Sequence, residues 1–571
     1  MLLVAPEQIQ AYTTAGYWGT DTLDDLFRRN AAATPHAVAL VDPPNRAELT
    51  VGQPQRFTYA ELAEQVDRLA SSLLKLGLTK DDVVMVQLPN IVELPIVYLA
   101  AARLGVIVSP LPVQYRTHEL RQTLSIVAPK AFITTSHFGG FNYVEMVQHL
   151  QPEVPSLKTI IALGDDLPVD VIAWTDLVVA PADYPGLAIQ RAAYPITANE
   201  VSTICWTSGT EAEPKGVPRS HNHWISIAYA TTDGAQIERG DTLLNPFPMV
   251  NMSAIGGMLV PWLLTGGKLV MHHPLNLGLF LGQIKAERVN YTVVPPVLLN
   301  MLLLNPAILA NADLSSIKNI GSGSAPLSEW MTRSWKEQHH INVLNFFGSN
   351  EGTALISAPD EIPDAAERAR YFPRYGVPGF AWTNRAVRGM STKLVDPITK
   401  ATITEPNVAG ELAIKGPTVF AGYYARPDLT AKSFDGDGYF YTGDLFEIAG
   451  EGGELNRYRF VGRLKDLIIR GGMKIAPEEI EALLVEHPKV AEVAVVGITD
   501  RRLDDERICA VVAPKKDQSI TIDELHDFLK SKDMASYKMP KKLLIVEALP
   551  RNPVGKILKR DLRAKLEAAE N

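Results

Sequence analysis

Between residues 59 and 76 the apolar side chains Leu62, Val66, Leu69, Leu73 and Leu74 recur mostly three and four positions apart, on one face of a predicted helix. The run Val83–Gln87 that follows is apolar up to its last residue and reads as a buried strand. The alternation returns further along. An apolar helix over 256–264 leads to a strand at Lys268–Met271, another helix leads to a strand at 291–294, and 316–321 approaches a further one. The fold class predicted is α/β, with a large N-terminal domain of several subdomains whose sheets are flanked by helices. Near the C-terminus the texture changes. Pro477 opens a helix with Ile480, Leu483 and Leu484 on one face, and strands follow at 490–496 and 508–512. Thr521 and Glu524 have capping-box spacing before a short helix, and 542–546 reads as another strand. This stretch predicts a small α+β unit.

Composition narrows the function classes. A chain of 571 residues is too long for one core. With 46% hydrophobic and 21% charged residues it matches ordinary soluble globular proteins, not disordered ones. The net charge of -9, with no Lys/Arg-rich run interleaved with aromatics, argues against nucleic acid as a partner. The two cysteines, Cys205 and Cys509, lack C-x-x-C spacing, so neither a disulfide framework nor a zinc site is indicated, and a reducing cytoplasm fits. The opening MLLVAPEQIQ has no basic flank, and the apolar stretch 96–113 is interrupted by Arg103 and Pro110. Neither a signal peptide nor a membrane span is expected.

The first chemical signal is TSGTEAEPKG at 207–216. Small and hydroxylated residues (Thr207, Ser208, Gly209, Thr210) followed by a fixed cation, Lys215, can wrap phosphate oxygens with backbone N–H groups and side chains. It is not a Walker A loop, because Lys215 precedes Gly216 and is not followed by Ser or Thr. Standing alone, it would equally well be a flexible surface turn.

It does not stand alone. GSAPL at 323–327, FGSNE at 347–351, GELAIKG at 410–416, YTGD at 441–444, FVGRLKD at 460–466 and PRNPVGK at 550–556 follow in order. In this order and spacing the motifs resemble the adenylate-forming superfamily: acyl-CoA synthetases, aryl-acid AMP ligases, peptide-synthetase adenylation domains and luciferase. The resemblance runs from Tyr17 and Trp18 to the last helix. It implies that ATP activates a carboxylic acid as an acyl-adenylate with release of pyrophosphate, after which a thiol displaces AMP. It also implies an N-terminal AMP- and acyl-binding domain, 1–462, and a mobile C-terminal domain, 463–571, carrying the catalytic lysine.

Roles come with the resemblance, residue by residue. Lys215, Glu351 and Lys556 are the implied catalytic groups, with Glu351 on Mg²⁺, a cation that prefers hard carboxylate and phosphate oxygens. Thr207, Ser208, Gly209, Thr210, Lys215 and Lys556 are implied around the phosphates. Asp444 is implied to accept from both ribose hydroxyls, which suits a group with two acceptor oxygens. Arg463 is implied to contact ribose or phosphate. Phe347 stacks on adenine, with the small residues Gly323, Ser324 and Ala325 on the other side; a plain core aromatic is the competing reading. Lys465 is the implied hinge between adenylating and thioester-forming poses. Gly471 and Gly472 then line a channel, and Lys474 contacts a coenzyme A phosphate.

Departures from the pattern bear on rate and substrate. Ala212 replaces the usual Gly or Ser, and Glu211 and Glu213 add negative charge near the phosphates, which predicts weaker ATP use. Asn350 replaces the usual Thr or Ala before the metal glutamate. In NPFPMVN at 245–251, Met249 stands where many relatives have His, and Val250 where dihydroxybenzoate ligases have Asn. No carboxylate is present there to pair with an amino acid's ammonium. The expected acyl pocket is therefore apolar, built from Met249, Val250, Asn251, Ser253, Ile255, Gly348 and Asn350, with methionine filling irregular space. The segment at 462–484 and the entry at 15–18 look like the aryl-acid branch. Three functions follow: an acid–CoA ligase using ATP, Mg²⁺ and coenzyme A; a ligase loading a separate acyl carrier protein; or a non-catalytic relative. The intact Lys215, Glu351, Asp444, Arg463 and Lys556 weigh against the third. A monomer or homodimer is expected.

Overall fold

The strand Val83–Gln87 is buried at every position because it lies inside a seven-stranded, mostly parallel sheet. The order there is Lys215–Ser220, Val201–Thr207, Ile107–Pro110, Val83–Gln87, Ala131–Thr135, Thr159–Leu163 and Val171–Ala173. The computed structural model describes the chain except residues 208–212, 311, 324, 353, 451–454, 471–472, 501–504, 552–556 and 569–571, and except the side chains of Lys474, Asp500 and Asp505.

The predicted helix after Thr58 is Tyr59–Lys75, started by a capping box between Thr58 and Glu61 and burying Leu62, Val66, Leu69 and Leu73. The apolar stretch after residue 96 belongs to the helix Glu93–Leu104, buried on nearly every side. Its Arg103 pairs with Asp24 and Asp67, so the charge that interrupts the run is neutralised in place. Among the described residues no helix is long and apolar enough to cross a membrane.

A second, eight-stranded sheet runs Ala354–Ser357, Asn342–Gly348, Asn319–Gly323, Tyr291–Val293, Thr242–Asn245, Lys268–Met271, Val38–Val41 and Arg56–Thr58. The expected helix over 256–264 is broken into three: Met252–Ala254, a π-helical turn Ile255–Leu259, and Val260–Thr265. The wide turn places Gly256 against Trp224 and Ile227, where a β-carbon would press on both side chains.

By compactness the chain divides into two units: 1–369 with 378–391 and 415–438, and 370–377 with 392–414 and 439–571. The second unit holds a six-stranded sheet that includes Phe440–Ala449 and Arg457–Arg463, and a three-stranded sheet of Val490–Asp500, Asp505–Pro514 and Lys542–Ile545. Strand alternation builds two cores on that last sheet. Val493, Val495, Ile508, Ala510 and Val512 face one, with Ile480, Leu484, Leu525 and Leu529. Ala494, Val496, Ile498, Cys509 and Val511 face the other, with Leu562 and Leu566.

Candidate active site

In the first unit, the strand Val201–Thr207 turns back into Lys215–Ser220, and Thr207 and Lys215 are register partners at the mouth of that hairpin. Thr207 is half-buried; Ser208, Gly209, Thr210, Glu211 and Ala212 lie outside the described residues. Glu213, expected to burden the phosphates with negative charge, is bonded to Arg426 at 3.1 Å. The strand Asn342–Gly348 turns into its antiparallel neighbour Ala354–Ser357, and Glu351 lies on the connecting turn. Lys215 thus lies on the edge strand of one sheet and Glu351 on the turn that leads into the edge strand of another.

Hydrogen bonds of Asn350 and Arg219 bring those edges together. Asn350 donates from Nδ2 to the carbonyl of Trp206 at 3.1 Å and accepts the Met252 N–H at 2.8 Å. Its side chain ties the end of Val201–Thr207 to the segment that follows Asn251. Arg219, fully buried, donates to the carbonyls of Asn350 at 3.3 Å, Thr418 at 2.8 Å and His223 at 3.2 Å. Burial lowers the Arg219 pKa to about 9, with the Glu351 charge acting in the opposite sense. Gly352 adopts φ +116°, and a β-carbon there would collide with the Thr418 carbonyl, so only glycine fits beside Glu351.

The segment 418–424 closes this end of the site. Phe420 donates its N–H to the Glu351 carbonyl at 2.8 Å, and Tyr424 donates to the Gly216 carbonyl at 2.9 Å. Between them, the Tyr423 hydroxyl donates to Glu351 Oε1 at 3.1 Å, and Lys215 Nζ stands 5.2 Å from the centre of the Tyr423 ring. Neither Arg219 nor Tyr423 was found in the sequence. Arg219 follows a proline like any surface arginine, and Tyr423 is 72 residues from its partner Glu351.

Where the base was expected, Gly323 is paired with Phe346, and a β-carbon at Gly323 would strike the Phe346 carbonyl. Phe347 is half-buried, Gly348 and Ala325 are exposed, and Ser324 lies outside the described residues. The segment expected to receive the acyl group is sorted by burial. Met249, Val250, Ile255 and Met258 are buried, while Ser253 is exposed. Met249 is held at both backbone ends: Asn90 Oδ1 accepts its N–H at 3.1 Å, and its carbonyl accepts from Tyr98 at 2.7 Å. The Asn251 side chain caps the turn at Met252–Ala254 by accepting from Ser253.

In the second unit, Asp444 and Arg463 are cross-strand partners, joined by an ion pair at 3.4 Å. Gly443 at φ +72° donates to Glu411 at 3.0 Å and turns the strand just before Asp444. Lys465 lies in the short 3-10 turn Leu464–Asp466. Gly471 and Gly472, and the side chain of Lys474, lie outside the described residues; the flanking Arg470 and Met473 are register partners. Lys556 is also outside them. Among the described residues on either side, Arg551 and Ile557 form an isolated bridge, and Arg551 pairs with Glu492. Lys559 is bound to Glu478 at 3.1 Å and Glu481 at 2.8 Å, which anchors the helix beyond. Burial pushes the Glu481 carboxyl up and Lys559 partly offsets it.

Among the described residues no cluster of three or more His, Cys, Asp or Glu could hold a metal. A single carboxylate, Glu351, on the same tyrosine as the Lys215 ammonium fits Mg²⁺ carried by a nucleotide, which takes one or two protein oxygens and leaves the rest to phosphates and water.

Comparison with known proteins agrees with this geometry. The AMP-binding enzyme family matches residues 27–424, and the AMP-binding enzyme C-terminal domain matches 479–556. The chain is 29% identical to the medium-chain fatty-acid–CoA ligase of Escherichia coli (strain K12), over 97% of this chain and 92% of that one. It is 30% identical to the vibriobactin-specific 2,3-dihydroxybenzoate-AMP ligase of Vibrio cholerae, over 98% and 97%. Among solved structures, ATP-bound MatB from Rhodopseudomonas palustris superposes with a TM-score of 0.79 at 26% identity, covering 96% of this chain and all, 100%, of that one.

Proposed function

The chain belongs to the AMP-binding enzyme family of adenylate-forming ligases, and from that premise we propose that it joins an apolar carboxylic acid to coenzyme A at the expense of ATP. The observation that carries the reading is the group Lys215, Tyr423 and Glu351, adjoined through Asn350 to an uncharged segment that buries Met249, Val250, Ile255 and Met258.

A carboxylate and a triphosphate repel each other, so positive charge has to be fixed where they meet. Lys215 supplies it from a strand end whose backbone is already hydrogen-bonded. When bound with the nucleotide, Mg²⁺ would screen the same oxygens, with Glu351 as its protein ligand. Thr207 and residues 208–210 receive the phosphates, and Gly323, Ser324, Ala325 and Phe347 receive the base. Asp444 takes the ribose hydroxyls, and Arg463, now paired with it, gives a donor to ribose or phosphate. Lys556 stabilises charge as it passes from the acyl carboxylate to the α-phosphate. After adenylation, Lys465 serves as the hinge, and Gly471, Gly472 and Lys474 receive coenzyme A.

A second reading, loading of a separate carrier protein, is favoured by the 30% identity to the dihydroxybenzoate-AMP ligase over nearly the whole chain. The apolar pocket residue Val250 favours the first. The two are separated by measuring acid-dependent AMP release with coenzyme A and with a phosphopantetheinylated carrier side by side. Coenzyme A should support turnover and yield acyl-CoA; turnover with the carrier alone would replace this proposal with the second reading.

A further inference from the structure

Lys215 and Glu351 carry opposite charges at one end of the site, yet they form no ion pair with each other. Instead each touches Tyr423. The hydroxyl donates to Glu351 Oε1 at 3.1 Å, and the Lys215 ammonium stands 5.2 Å from the ring centre. Among the described residues, Glu351 Oε2 has no hydrogen-bond partner. The tyrosine is fixed on both sides: its N–H donates to Thr430 Oγ1 at 3.0 Å, and the neighbouring Tyr424 N–H donates to the Gly216 carbonyl at 2.9 Å. Gly422 before it adopts φ +141°, where a β-carbon would press into the Thr430 side chain.

We propose that Tyr423 is a positioning residue that keeps Lys215 and Glu351 apart, holding the cation on its ring and the carboxylate on its hydroxyl, so that both stay available to a bound nucleotide. The inference rests on the ATP-binding reading above. Its physical content is a competition. Two flexible, oppositely charged side chains in a partly desolvated site attract each other strongly, and a direct pair would cancel the charge meant for phosphate and occupy the oxygen meant for the cation. A ring face offers the ammonium a weaker resting place, which a phosphate outcompetes. A neutral hydroxyl orients one carboxylate oxygen without neutralising it. Burial and the Glu351 charge both raise the Tyr423 pKa, so the phenol remains a donor at any physiological pH.

The test is calorimetric titration of the full chain with ATP, once in EDTA and once with excess Mg²⁺, which reads binding without catalysis. Tyr423→Phe keeps the ring and loses the hydroxyl. It should bind ATP in EDTA within about twofold of wild type, while the strengthening by Mg²⁺ shrinks about tenfold, the size of a lost charge-assisted hydrogen bond. Tyr423→Ala removes the spacer as well, and its affinity in EDTA should fall about three- to fivefold, the size of the Lys215–Glu351 ion pair that would then form and that phosphate would have to displace. In a Glu351→Gln background, Tyr423→Phe should add nothing to the loss of metal dependence. A Tyr423→Phe variant with the full Mg²⁺ effect, or one that adds its loss to that of Glu351→Gln, overturns the proposal. Should Tyr423→Ala fail to fold, the Tyr423→Phe and Glu351→Gln pair decides alone. A wild-type chain that binds ATP in neither buffer overturns the reading on which the inference rests, whatever the variants do.

Discussion

Val250 shows how much substrate information one buried side chain can hold. It is 6% exposed, beside the fully buried Met249, and no charged residue interrupts 249–258. Val250→Asn would bury an amide facing an apolar acid, and an unsatisfied buried amide costs about 1–3 kcal/mol. The expected outcome is a fall of about tenfold in kcat/KM for an apolar acid, with a smaller loss or a gain for the same acid bearing a 2-hydroxyl. Steady-state kinetics on the two acids check this, and identical responses would remove Val250 from the pocket. At this scale the sequence offers residues whose own chemistry stands within a motif, Lys215 after the small-residue loop, Glu351 at the end of FGSNE and Asp444 in YTGD, and the structure sets the first two against one tyrosine. The sequence was illegible where a residue acts through a distant partner. The amide of Asn350 joins Trp206 to Met252, and nothing local to position 350 encodes either partner. Arg219 was missed for the same reason, since the Thr418 carbonyl it holds is 199 residues away.

Helices and strands were legible to the extent that one face or both were buried. Tyr59–Lys75 shows its 3.6-residue period because one side packs inward, and Val83–Gln87 shows none because both faces do. The π-helical turn Ile255–Leu259 was not readable, because the packing it accompanies is tertiary: Gly256 lies against Trp224 and Ile227 of another helix. The hinge proposed above falls in the 3-10 turn Leu464–Asp466, between the strand Arg457–Arg463 and the strand Ile468–Arg470. Proline at Lys465 would fix φ near −65° and remove an N–H, which blocks a pivot at that residue. Lys465→Pro should still form acyl-adenylate in a single turnover, while thioester formation falls at least about a hundredfold, as expected when a conformational step is removed. Rapid-quench analysis of adenylate and acyl-CoA checks this. Wild-type overall turnover would place the hinge elsewhere.

The whole molecule carries a pH dependence that no motif announces. His221, His223, His272 and His273 are all buried in the first unit. Burial pushes His221 and His273 down to about 4, His223 well below its ordinary value, and His272 in the same direction. The unfolded chain binds protons at these sites below about 6.5, so their contribution to stability is complete above that pH and is lost as pH falls toward 4. Asp42 opposes them. Burial and Glu93 raise its carboxyl to about 6 despite Arg46, so its contribution is present below the unfolded value and is lost as pH rises through 6. Four groups outweigh one. Denaturant unfolding should show stability falling between pH 6.5 and 5, by up to about 2 kcal/mol for each histidine held near 4. His221→Gln should make that slope shallower; a flat profile would contradict the burial of neutral imidazoles. The central claim, that this molecule adenylates a carboxylic acid with Lys215 and Glu351, is tested most directly by acid-dependent exchange of labelled pyrophosphate into ATP across aromatic, alicyclic and medium-chain acids. The account predicts exchange with at least one apolar acid, reduced about 10²-fold or more in Lys215→Ala and in Glu351→Gln, the usual loss when a preorganised charge is removed. Exchange with none of the acids, or exchange that survives both substitutions, would contradict it.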